Sequence, residues 1–86
     1  MNTQPFSPPR GAVLYPMHPV ESSHLSQAGY DIPTKTLQVA FTRTPGKIYQ
    51  YYGVAQGTYV AMKAAKSVGS FFNSNVKGKH SGQRVK

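Results

Sequence analysis

An 86-residue chain of 9.4 kDa has room for one domain with a small core, which leaves little depth for an enzyme cleft. It contains no cysteine, so disulfide staples and thiolate metal sites are excluded. Ten Lys and Arg face only Glu21 and Asp31, a formal charge of +8. That balance makes a polyanion the natural partner, through contacts that weaken steeply with salt.

No apolar run approaches the roughly 18 residues of a spanning helix. No basic, apolar, small-residue order of a signal peptide opens the chain either. The expected location is the cytosol or a particle assembled there, with no membrane partner.

Residues 1–20 hold Pro5, Pro8, Pro9, Pro16 and Pro19 with Gly11 and show no sustained period. Proline removes backbone donors and favours extended chain, so this segment reads as an arm and not as a helix or a central strand. Phe6, Val13, Leu14, Tyr15 and Met17 are more apolar content than a solvating linker needs. The arm is either a loose terminus or a segment that docks on this domain or a neighbour.

From Ser22 short strand patterns begin. His24 to Tyr30 is weakly patterned; in Lys35 to Thr42, Leu37, Val39 and Phe41 alternate with Thr36, Gln38 and Ala40, the period of a strand with one buried face. Ile32-Pro33-Thr34 and Thr44-Pro45-Gly46 supply turn chemistry, which makes the three runs an antiparallel meander. In the third run Tyr49 and Tyr51 share one face, while Ile48, Gln50 and Tyr52 share the other.

After Gly53 the spacing lengthens: Val54, Thr58 and Met62 recur every four residues beside Tyr59, and Ala61, Ala64 and Ala65 favour a helix. Ser67 can cap a second, shorter helix in which Val68, Phe72 and Val76 recur. Residues 77–86 are basic and punctuated by glycine, and read as a cationic tail with little structure of its own.

The order Ser22-Ser23, Gly29-Tyr30-Asp31, Leu37-x-Val39-x-Phe41, Tyr49-x-Tyr51 with Gly53-Val54, Tyr59, Ser67-x-Gly69, Phe72-Asn73 and Lys77-Gly78-Lys79 resembles the KTSC domain, named for the C-terminal region of certain lysyl-tRNA synthetases. The resemblance covers roughly Val20 to His80. It implies a small stand-alone member from a bacterium or its phage, hence a bacterial cytoplasm or a virion, and RNA binding as the activity suggested for the family. The chain departs from the pattern at Ala55, where the family often has proline, and at His80, where it has an aromatic ring. The second change removes a possible stacking surface.

Tyr49 and Tyr51 invite a reading as a base-stacking platform. Their face is also the one that Leu37, Val39, Phe41 and a covering helix require, so they are assigned to the core with hydroxyls at the rim. Tyr52, on the open face, becomes the stacking candidate. Lys63, Lys66, Lys77, Lys79, Arg84 and Lys86 concentrate in the C-terminal third beside His80 and form the candidate nucleic-acid surface, the alternative being a solvated tail. His18, His24 and His80 are scattered and the carboxylates are few, so no catalytic residue, metal site or cofactor is assigned.

The expected fold is α+β: a three-stranded antiparallel meander from about Ser22 to Tyr52, covered on one face by a helix after Val54 and a second short helix after Ser67. Residues 1–20 form a proline-rich extended arm, 21–80 the domain and 81–86 a basic tail. The expected core is Leu25, Tyr30, Leu37, Val39, Phe41, Tyr49, Tyr51, Val54, Tyr59, Met62, Phe72 and Val76. The expected function is a non-catalytic binding module for nucleic acid, RNA first, with no small-molecule substrate. The alternative is a phage virion structural or adaptor protein whose N-terminal arm binds neighbouring protein subunits.

Overall fold

The computed structural model describes residues 6–86, so Pro5 and the start of the arm lie outside the described residues. Strands β1 (His18–Pro19), β2 (Leu25–Asp31), β3 (Thr36–Phe41) and β4 (Ile48–Tyr51) lead into helices α1 (Gln56–Ala64) and α2 (Val68–Phe72). A π-helical turn (Asn73–Lys77) follows α2, and the chain closes with β5 (Gly82–Arg84).

The sheet has five strands in the order β1-β2-β3-β4-β5, each antiparallel to its neighbour. The three-stranded expectation is therefore corrected, although α+β stands. Both added strands lie where the sequence lacks alternation: β1 is a His-Pro pair inside the arm, and β5 is Gly-Gln-Arg inside the supposed tail. They form because the meander leaves an open edge on each side, and an unpaired row of N–H and C=O groups accepts any extended segment. The tail is thereby fixed, with Ile48 N–H donating to the Lys86 carbonyl at 3.0 Å and Tyr52 N–H to that of Ser81 at 2.9 Å.

The meander itself follows the pattern in the sequence. Leu37, Val39 and Phe41 pair with Tyr51, Tyr49 and, across a bulge in β2, Leu25. The β2–β3 turn is locked by Asp31, whose carboxylate accepts from both the N–H and the hydroxyl of Thr34. Gly53, at φ +69°, ends β4 in a conformation that side chains resist, and releases the chain into α1.

Both helices cover one face. Phe72 is fully buried, with its ring edge-on to Phe41 at 5.6 Å and to Tyr51 at 5.2 Å. Tyr30 stacks on Tyr59 at 5.2 Å, and its hydroxyl donates to the Val54 carbonyl. All the residues expected in the core are buried in this cluster or packed against it. Ser67 caps α2 by accepting from the Ser70 N–H, whereas Ala55 begins α1 with no side-chain cap.

The opposite face is not open. The arm runs across it: the Tyr15 N–H donates to Gln38 Oε1 at 3.0 Å, Gln38 Nε2 donates back to the Tyr15 carbonyl at 2.9 Å, and Gln50 Nε2 donates to the Val13 carbonyl at 2.6 Å. Gln50 also donates to Gln38 Oε1 at 3.0 Å. Beneath the arm Gln38 is only 1% exposed and Gln50 only 4%. Polar groups buried this deeply require partners, and the arm's backbone supplies them. Gly29 admits the crossing, because a Cβ there would collide with the Pro16 carbonyl. The chain then turns and pairs His18 with Ala28 as β1.

Candidate nucleic-acid interface

One end of the sheet gathers cations from three parts of the chain. The β3–β4 turn is closed by the Thr44 N–H to the Phe41 carbonyl and the Lys47 N–H to the Thr44 carbonyl, with Gly46 at φ +85°. It carries Arg43 and Lys47. The π-helical turn brings Lys77 alongside, and β5 docks Lys86 against Ile48.

At this end lies a hollow of about 210 Å³ lined by His24, Phe41, Arg43, Thr44, Tyr49 and Lys77. Its aromatic part is a chain of edge-to-face rings, His24 on Phe41 at 5.9 Å and Phe41 on Tyr49 at 5.3 Å. The volume is below the ~300–1,000 Å³ of ligand clefts that engulf small molecules. No carboxylate lines the hollow. Asp31 sits at the other end of β2, engaged by Thr34, and Glu21 lines a separate hollow with Lys63 and Lys66.

The residues singled out from the sequence do not form one patch. Lys77 and Lys86 reach the cationic end. Lys63 lies 4.6 Å from the Tyr59 ring centre, on the helical side. Lys66 shares the Glu21 hollow, and Lys79 is exposed just past the π-helical turn. His80 Nδ1 is 3.2 Å from the Tyr52 carbonyl. Arg84 donates through Nε to the Lys86 carbonyl at 2.8 Å and lies 3.9 Å from the Phe6 ring centre.

Tyr52 is the clearest departure. It stands beside the arm, donating its hydroxyl to Gln50 Oε1 at 3.2 Å and accepting from Gln83 Nε2 at 2.8 Å. It joins the amide row, where the sequence reading had placed it on an uncovered face. His24, Arg43 and Lys47 were not singled out from the sequence, and Phe41 and Tyr49, assigned there to the core, pack against it with part of each ring left exposed. Arg43 and Lys47 flank a turn, a visible signal, but the meeting of Arg43 with Lys77 in one hollow is purely tertiary.

Among the described residues no helix is long and apolar enough to cross a membrane, and no group of three His, Asp or Glu is placed to hold a metal ion.

Comparison with known proteins agrees with this architecture. A protein from Tsukamurella paurometabola is 43% identical over 61 residues, spanning 71% of this chain and 88% of its own. The crystal structure of a KTSC domain protein from Yersinia pestis superposes with a TM-score of 0.75 at 31% identity, covering 83% of this chain and 97% of that one. The KTSC domain family matches residues 21–80. With that share of its length matched, and with the sheet and helices superposing on a solved member, the chain belongs to the KTSC domain family.

Proposed function

We propose that this protein is a non-catalytic module that binds single-stranded RNA at the end of the sheet where Arg43 and Lys77 line a hollow with the rings of His24, Phe41 and Tyr49, with Lys47 and Lys86 at the same sheet end. The observation that carries the reading is the cavity of cations and aromatic edges with no carboxylate in its lining. Lys and Arg neutralise phosphates, while a partly exposed ring offers a sequence-tolerant stacking surface. A hollow of about 210 Å³ is too small for a duplex to enter, which favours an unpaired base. The reading places the protein in a bacterial cytoplasm.

The test is a titration of single-stranded and duplex RNA at two salt concentrations, repeated with Arg43→Ala and Lys77→Ala. Each substitution is expected to weaken binding and to reduce the slope of log affinity against log salt by about 0.7, the increment for one phosphate contact on a single strand. Absence of binding at low salt ends the reading, because the contacts proposed are ionic.

A second reading, assembly through the arm as in a virion or adaptor protein, is favoured by a different observation. The arm's apolar side chains Phe6, Val13 and Leu14 are turned to solvent.

A further inference from the structure

We propose that the amide-lined sheet face is a receptor for an extended arm, and that its occupant in crowded protein is the arm of a second copy, exchanged reciprocally. The inference is independent of RNA binding.

The arm is held mainly through its backbone, with Tyr15 and Met17 half-buried and the Tyr15 hydroxyl 3.5 Å from that of Thr34. Gln38 and Gln50 bond the Val13 carbonyl and the N–H and carbonyl of Tyr15, and Pro16 rests on Gly29. Three of its larger apolar side chains face outward: Val13 is 58% exposed, Leu14 48% and Phe6 37%. The apolar surface that opposes release is that of the half-buried Tyr15 and Met17, and each hydrogen bond is exchanged for one to water, so its net contribution is small.

With the arm released, the amides of Gln38 and Gln50 exchange the Tyr15 and Val13 backbone for water. An identical arm offers the same backbone groups and regains every contact. Within residues 6–17 Arg10 is the only charged side chain, so the arm adds little to the repulsion between two chains of charge +8.

The arm continues into the β1–β2 pairing, His18 with Ala28 and the Val20 N–H on the Ser26 carbonyl at 3.1 Å, and then into the turn between β1 and β2, where Ser22 Oγ accepts from the N–H groups of His24 and Leu25. Opening that turn converts a closed chain into an exchanged pair with the same interface. A short tether gives the resident arm an effective concentration of about 1 mM, so exchange emerges as copies approach that density.

Because the chain has no cysteine, single ones can be placed on exposed sites in two batches of full-length protein. Leu14→Cys carries a donor dye on the arm, and Val60→Cys carries an acceptor on α1, where the residue is 54% exposed. After mixing, energy transfer is expected to rise with total protein toward about 1 mM. It should fall when the acceptor chain also carries Gln38→Leu. Deleting Glu21–Ser23 removes the turn and is expected to yield a dimer at micromolar concentration by sedimentation. No transfer in the wild-type mixture, or transfer indifferent to Gln38→Leu, overturns the proposal. A folded deletion variant that stays monomeric also overturns it; if that variant fails to fold, the wild-type mixture decides alone.

Discussion

Gln38 and Gln50 carry the least expected chemistry in this chain. In the strand pattern Gln38 alternates with Leu37 and Val39 and takes the solvent side, where a glutamine needs no explanation. The fold buries both residues and binds their amides to each other, to the arm's backbone and to the Tyr52 hydroxyl. Bonds to a backbone leave no trace in the arm's sequence, since any residue type supplies the same N–H and C=O. Replacing Gln38 by Leu strands the Tyr15 N–H and carbonyl and is expected to cost about 1–3 kcal/mol. Urea denaturation measures that loss, and faster hydrogen exchange at the Tyr15 amide locates it. Unchanged exchange there would show that the amide row does not hold the arm.

At the scale of elements, β3, β4 and α2 were legible because each carries its own period or cap. Leu37, Val39 and Phe41 alternate; Tyr49 and Tyr51 follow; Ser67 begins the helix that buries Val68 and Phe72. The strand β5 was not legible, because Gly-Gln-Arg has no preference of its own and pairs only where β4 offers a free edge. Its neighbour Val85 is 2% exposed yet lies outside the main core cluster. Truncation of residues 82–86 should remove about 1.5–3 kcal/mol from the Val85 side chain alone. That corresponds to a fall in Tm of about 4–8 °C per kcal/mol for a domain of this size. The uncovered β4 edge should also raise aggregation, read by light scattering. A truncated chain that melts and scatters like the full one would make β5 a passive tail.

At the scale of the whole molecule, the core's tyrosines set a pH limit. Burial raises the phenol pKa of Tyr51, Tyr59 and Tyr30, with the charge of neighbouring Tyr49 adding at Tyr51 and that of Asp31 at Tyr30. A raised folded-state pKa means that the neutral phenol is favoured in the native protein. The associated stability is complete below the unfolded value of about 10 and is lost as pH rises through the folded values. Thermal melts are therefore expected to hold steady from pH 7 to about pH 9 and to fall above about pH 10. A melting temperature indifferent to pH up to about 11 would remove these phenols from the stability of the core.

By itself the sequence determined the α+β class, the family, the inward face of the central strands and the cationic character of the surface. These follow from local period, turn chemistry and composition, which act between residues close in the chain. Only the tertiary structure decided that the sheet has five strands, that the arm covers its polar face, and that Arg43 and Lys77 line one hollow with His24, Phe41 and Tyr49. Those outcomes depend on free strand edges, backbone hydrogen bonds and contacts between residues far apart in the chain, none of which imposes a repeating pattern on side chains.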